Sequence, residues 1–167
     1  MIAYRQEIAT AAAAHNLDPH LVQAVVEQES NGWFSAFKFE PDFWDNYLKN
    51  NLAYRDRNMR EVSSSYGLMQ VMYPTAVDHG FTGQPWELFA PAFSLEYGCR
   101  VLAGLIAWAN GLYTGLEKER QSAVLRSALA AYNGGKKNNR PTAPLHNRAY
   151  ADEVMVRYRR IAAGMLA

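Results

Sequence analysis

The sequence predicts a mainly α fold in one domain, and three observations carry that expectation. Apolar residues recur at helical spacing in several stretches, alternating strand patterns are nearly absent, and no repeat or low-complexity linker divides the chain. At 167 residues there is room for one domain with its own hydrophobic core, and residues 1–167 are read as that single unit. A hydrophobic content of 49% and a formal net charge of +1 fit a soluble globular protein and disfavour a disordered tail or a dedicated nucleic-acid binder.

The elements follow in order. Residues 2–15 read as a short alanine-rich helix that covers the core. Asp18 then offers an N-cap and Pro19 a first helical residue, so a second helix spans 18–30, closed by Asn31-Gly32. Residues 33–64 are the least regular part, crowded with Trp33, Phe34, Phe37, Phe39, Phe43, Trp44 and Tyr47. Within them 42–50 fits a short helix, with Asp42 near its start. The aromatics read either as a satellite cluster beneath a long loop or as a platform for the apolar faces of sugar rings, and both can hold. Residues 67–71 form a turn, and Pro74 opens a short helix ending near Gly80. The longest pattern, 91–110, has Leu95, Val101, Leu102, Leu105, Ile106 and Trp108 placed for burial. Gly98 and Gly104 cost it helix propensity, which predicts close packing of a neighbouring helix at both. A further core helix covers 117–132, a basic loop follows at 136–140, and the last helix runs from 147 to about 163.

Several chemistries are set aside by residue counts. Cys99 is the only cysteine, so no internal disulfide forms, and its apolar helical setting reads as core. His15, His20, His79 and His146 show no metal-ligand spacing, so neither metal nor cofactor is expected. No apolar run is long enough to span a membrane, and the start of the chain lacks the pattern of a secretory signal.

The stretch that invites a catalytic reading is Glu27-Gln28-Glu29-Ser30-Asn31. Leu21, Val22, Val25 and Val26 share one helix face, and 3.6-residue spacing carries that face to Glu29. A carboxylate on the buried side is costly to ionise, so it is either paired or kept protonated because protonation is its task. Glu27 points elsewhere and reads as solvated.

Glu29-Ser30, then Gly67-Leu68-Met69-Gln70, then Ala131-Tyr132-Asn133-Gly134, in this order, resemble the lytic transglycosylases of the soluble type. The resemblance runs from about residue 18 to residue 150. It implies a lysozyme-like fold, here with a long aromatic-rich loop insertion, and cleavage of the MurNAc-β-1,4-GlcNAc bond of peptidoglycan. In that family one glutamate acts first as acid and then as base, the substrate's 2-acetamido group replaces an enzyme nucleophile, and the C6 hydroxyl closes a 1,6-anhydro-muramic end. Carried over by position, Glu29 is the catalytic acid and Tyr132 the phenol that orients it, or else a buried core tyrosine. Ser30, Met69, Gln70, Asn133 and Tyr150 are expected to contact substrate. Gln70 has a loop-bracing alternative and Asn133 a helix-stop alternative.

Tyr66 stands where many members of the family have serine. Goose-type lysozymes share the glutamate and Gly-Leu-Met-Gln but carry aspartates ahead of that turn, which support water attack. Here Ser63-Ser64-Ser65 precede it, which favours the transglycosylase outcome; Glu40, Asp42, Asp45 and Asp56 read as surface charges unless one reaches the cleft. Rival readings are a hydrolytic muramidase, a chitinase, and a non-catalytic wall-binding or assembly module. The expected partner is the peptidoglycan glycan strand, bound by a monomer without nucleic acid or an integral membrane segment. The basic loop 136–140 is either a solvated run or an attractor of anionic wall peptides. Without an export signal, a wall-acting enzyme is expected to be a phage endolysin released from the host cytoplasm or a virion-borne lysin, with export by other means as the alternative.

Overall fold

The computed structural model describes residues 3–164. Helix α1 (Arg5–Ala14) buries only Ile8 and Ala12, as expected for a covering helix; Ile2, at the expected start, lies outside the described residues. Helix α2 (Pro19–Ser30) begins where the cap signal places it, with the Asp18 carboxylate accepting the His20 N–H at 2.8 Å. Its apolar stripe is buried throughout, and it stops at Asn31 (φ 51°) and Gly32 (φ 81°), both left-handed.

The irregular region departs from the expectation of a nearly strand-free chain. Strands β1 (Phe37–Phe39), β2 (Ser64–Tyr66) and β3 (Val71–Met72) form an antiparallel sheet in the order β1-β2-β3, with Phe37 opposite Tyr66 and Ser65 opposite Met72. Strands of two or three residues are too short to display an alternating pattern, and they persist because the sheet packs on helices. The insertion therefore folds back onto the hairpin that carries Gly-Leu-Met-Gln. Between β1 and β2 the chain forms α3 (Pro41–Phe43), a π-helical turn (Trp44–Leu48) and α4 (Met59–Val62). The expected helix at 42–50 is thus present with a wider turn.

Helix α5 (Tyr73–Asp78) and a 3₁₀ turn (Pro85–Phe89) lead into α6 (Pro91–Leu112), two residues longer than its pattern suggested because Tyr113, buried at its end, anchors the cap. Helices α7 (Glu117–Gly134) and α8 (Arg148–Ala162) complete the fold. The core lies where α6 packs on α7, α2 on α8 and α7 on α8; Cys99 is buried in it. Among the described residues no helix is long and apolar enough to cross a membrane.

The two glycines of α6 have different reasons. A Cβ on Gly98 would lie 2.4 Å from the Met69 sulfur and 2.6 Å from the Met69 Cβ, so the helix and the hairpin turn touch there. Gly104 has nothing within 4 Å of such a position, which overturns the expectation of close packing there. Gly98→Ala is expected to destabilise by about 2 kcal/mol through overpacking, whereas Gly104→Ala should stabilise by up to about 1 kcal/mol through helix propensity. Urea unfolding of the two variants checks the opposite signs.

Candidate active site

Glu29 sits in the last turn of α2, one turn beyond Val25 and Val26, with most of its side chain withdrawn from water. Helix α8 runs antiparallel alongside and contributes polar contacts along the seam. Tyr158 donates to Asp18 at 2.7 Å, Gln28 donates to Glu153 at 3.0 Å, and the Tyr150 hydroxyl donates to Glu29 Oε1 in a short hydrogen bond. Glu27 is not solvated as expected: Arg160 of α8 forms an ion pair with it and Gln23 donates to it at 3.1 Å. The neighbouring carboxylate is thus neutralised by an arginine, while Glu29 has a phenol.

That difference decides the chemistry. Burial pushes the Glu29 carboxyl up from 4.5 to about 7, against the opposing pull of the Tyr150 hydrogen bond and the more distant Lys38 ammonium. Burial, with the Glu29 charge beside them, also pushes the Tyr132 and Tyr150 phenols well above their ordinary range, so both remain hydrogen-bond donors. Near neutral pH the site holds a carboxyl that can give a proton and take it back.

Glu29 borders an open groove of 650 Å³ shared with Trp33, Phe37, Lys38 and Gln70. A second depression of 740 Å³ adjoins it at Lys38 and is bounded by Glu40, Phe43, Tyr47, Tyr132, Asn133 and Lys136. The insertion aromatics divide between the two readings. Phe43 and Trp44 pack on the core, while Trp33 is 68% and Tyr47 65% exposed at the walls of the cleft. A separate 570 Å³ depression near His15, Asp18 and Arg120 has its carboxylates committed, Asp18 to Tyr158 at 2.7 Å and Glu117 to Arg120 at 2.9 Å.

The remaining expected site residues are redistributed. Tyr132 does not hold Glu29; its hydroxyl donates to the Met69 carbonyl at 2.8 Å, and the orienting contact belongs to Tyr150. Met69 is fully buried against Gly98 and lines no groove. The Gln70 amide is used internally, donating to the Ala36 and Gly67 carbonyls at 2.9 and 3.0 Å and accepting from Ser65 at 2.9 Å. Those bonds hold Gln70 at φ 47°. Ser30 likewise donates to the Leu68 carbonyl at 2.8 Å and the Val26 carbonyl at 3.1 Å. Met69 is therefore structural, while Ser30 and Gln70 border the groove with their polar atoms committed to partners within the chain. Asn133 is exposed on the cleft wall, its side-chain oxygen accepting from Asn147 at 2.7 Å.

Tyr66, the departure from the family pattern, is a core residue: its ring meets Phe37 and Phe89 edge-on at 5.3 and 5.0 Å, and its hydroxyl donates to the Glu61 carbonyl at 2.6 Å. Of the insertion carboxylates, Asp42 is exposed, Asp45 pairs with Lys49 at 3.3 Å and Asp56 with Arg55 at 3.3 Å. Glu40 alone among these four borders the cleft. Its backbone is clamped to Ser63 at both N–H (2.8 Å) and carbonyl (2.7 Å), and its carboxylate pairs with Lys38 at 2.5 Å. Lys38 escaped the sequence reading, and only its register on β1 reveals it. Among the described residues no cluster of side chains could hold a metal ion.

A helical fold with a small sheet, and one protonatable glutamate at the mouth of a cleft between them, defines the lysozyme-like class. Residues 6–153 match the model of the Transglycosylase SLT domain, and the chain belongs to that family. It is 29% identical over 136 residues to a lysozyme g of Epinephelus coioides, covering 81% of this chain and 60% of that protein. The fold is similar to the lytic transglycosylase Slt of Pseudomonas aeruginosa, solved as an inactive mutant, with a TM-score of 0.64 at 17% identity. That similarity covers 99% of this chain and 25% of the other. The chain thus spans less than two thirds of either relative.

Lys38→Met removes a cation that favours the ionised Glu29 and leaves the Glu40 charge uncompensated. Both effects favour the protonated form, so the midpoint of the Glu29 titration should move upward from about 7. Carboxyl NMR of the labelled glutamate reads the shift directly; a downward or null shift would show that Lys38 does not act on Glu29.

Proposed function

We propose that this protein cleaves the MurNAc-β-1,4-GlcNAc bond of peptidoglycan as a lytic transglycosylase, with Glu29 as its single acid and base. The observation that carries the reading is a glutamate held near a pKa of 7 by burial, fixed by a phenol and opening on a cleft walled by aromatics. Family membership supports it. In the first step the Glu29 proton passes to the glycosidic oxygen, the C1–O bond breaks, and the substrate's acetamido oxygen bonds to C1. In the second, the Glu29 carboxylate takes the proton of the C6 hydroxyl, O6 bonds to C1, and the acetamido bond opens. The proton returns to Glu29 and no water is consumed. Tyr150 is the positioning residue for the carboxyl, and Trp33 and Tyr47 offer stacking faces to sugars at the two arms.

A second reading, hydrolysis, is favoured by the presence of Glu40 on the cleft wall and by the lysozyme relative. The Lys38 pair argues against it, because the ammonium already occupies the Glu40 carboxylate oxygen that would have to receive water. A non-catalytic wall-binding module is disfavoured by energy. A carboxyl raised from 4.5 to about 7 opposes folding above those pH values, by about 3 kcal/mol. A module without turnover gains nothing from that cost.

Two outcomes test the assignment. Mass spectrometry of unreduced muropeptides released from purified walls should show ends lighter by one water and resistant to borohydride. Reducible ends would give the hydrolytic reading, and Glu40→Gln should then remove activity. Glu29→Gln should abolish release while preserving cosedimentation with walls. The same variant should be more stable than the parent at pH 8 by up to about 3 kcal/mol. Below pH 4.5, where Glu29 is protonated in both folded and unfolded chains, that advantage should vanish.

A further inference from the structure

The segment between α7 and α8 carries Lys136, Lys137, Arg140 and His146 and no acidic residue. Among the described residues, Lys136, Lys137, Arg140 and His146 enter no ion pair, although arginines on the flanking helices, Arg126 and Arg148, are both bound to Asp152. The loop is not a loose solvated run. Asn139 at its centre is fully buried and donates to the Gly135 carbonyl at 2.9 Å and to Asn147 Oδ1 at 3.2 Å. It accepts the Asn147 N–H at 3.0 Å, and its carbonyl accepts the Ser127 hydroxyl. Asn147 in turn donates to Asn133 at 2.7 Å, which ties the loop to the cleft wall.

This scaffold creates a depression of 450 Å³ bounded by Lys137, Arg140, Pro144, Leu145 and His146. Lys136 faces the other way and borders the cleft itself, above the Trp108 ring at 5.7 Å. A row of unpaired cations therefore leaves the cleft and ends in a small basic cup with an aliphatic floor. A neutral sugar chain has no use for such a surface. A short peptide with carboxylates and small aliphatic side chains fits it: the arginine fork takes a carboxylate in two bonds, and lysine supplies a point charge.

We propose that loop 135–147 binds the carboxylates of the peptides attached to the glycan strand that occupies the cleft. This rests on the peptidoglycan reading above. The loop adds affinity and on-rate for strands that still carry peptides, without touching the reacting atoms.

The test compares the parent with Lys137→Glu/Arg140→Glu, both exposed residues distant from Glu29 in the proposed machinery. The substrates are sacculi free of phosphodiester polymers and the same sacculi stripped of their peptides by an amidase. On intact sacculi at low salt the variant should release product about 10-fold more slowly, and the gap should close as salt rises. On stripped glycan, where the amidase leaves only the lactyl carboxylate on each muramic residue, the gap should narrow severalfold. Equal rates on intact sacculi, or an equal loss on both substrates, would overturn the proposal. Lys137→Ala/Arg140→Ala, which removes charge without reversing it, should give the same pattern at smaller size and guards against misfolding. A parent that cleaves both substrates beside a matching variant overturns the loop alone, whereas a parent that cleaves neither overturns the peptidoglycan reading and the loop with it.

Discussion

The structure depends on satisfying the backbone of one buried turn. The hairpin between β2 and β3 drives Leu68 and Met69 into the core, where their peptide groups have no water. Four parts of the chain supply the partners. Ser30 at the end of α2 donates to the Leu68 carbonyl, Tyr132 at the end of α7 to the Met69 carbonyl, and Ser94 of α6 accepts the Met69 N–H at 3.0 Å. Gln70 binds the Ala36 carbonyl of the insertion. Gly67 (φ 72°) allows the turn to enter so deeply, since a Cβ there would lie 2.4 Å from the Leu88 carbonyl oxygen. Each bond is modest alone, but losing a partner leaves a buried polar group unpaired, so the turn fixes the mutual positions of α2, α6, α7 and the sheet.

The Glu29 carboxyl inherits its position from that arrangement. Glu29 precedes Ser30, so the latch that seats the turn also sets where the carboxyl emerges. Its ionisation is then decided by burial, which the contact from α8 only partly offsets. Arg160 neutralises Glu27, two residues earlier, while Tyr150 gives Glu29 a hydrogen bond without a charge. One helix therefore gives one carboxylate an ion pair and the other a neutral hydrogen bond. The instability this imposes is local, and the α2–α8 seam is broad enough to absorb it.

The insertion and the α7–α8 loop build the walls. Strand β1 places Lys38 on the cleft and Glu40 follows it at the start of α3, where the two compensate each other, while Phe37 packs its ring against Tyr66 and Phe89. On the opposite side a buried asparagine orders a loop whose lysines and arginine form no ion pair among the described residues. The cleft thus has paired charge on one wall and, among the described residues, a lysine without an ion-pair partner on the other.

The sequence by itself determined the long helices, the caps and buried stripe of α2 and the place of Glu29 at its end, because helical periodicity and capping are local. It also identified the motifs that matter, but not their partners: Met69, read as a groove residue, is fully buried, Tyr132 binds the Met69 carbonyl and not Glu29, and Ser30 and Gln70 border the groove with their polar atoms bound to the chain itself. A donor's partner is set by which surfaces meet across the fold, and Ser30 lies 38 residues from Leu68, Tyr150 121 residues from Glu29. Only the tertiary structure decided those pairings, the short sheet hidden in the aromatic insertion, and the contrast between Gly98 and Gly104. Strands of two or three residues carry no period, and a glycine in a helix looks the same whether its neighbour is a methionine or open space.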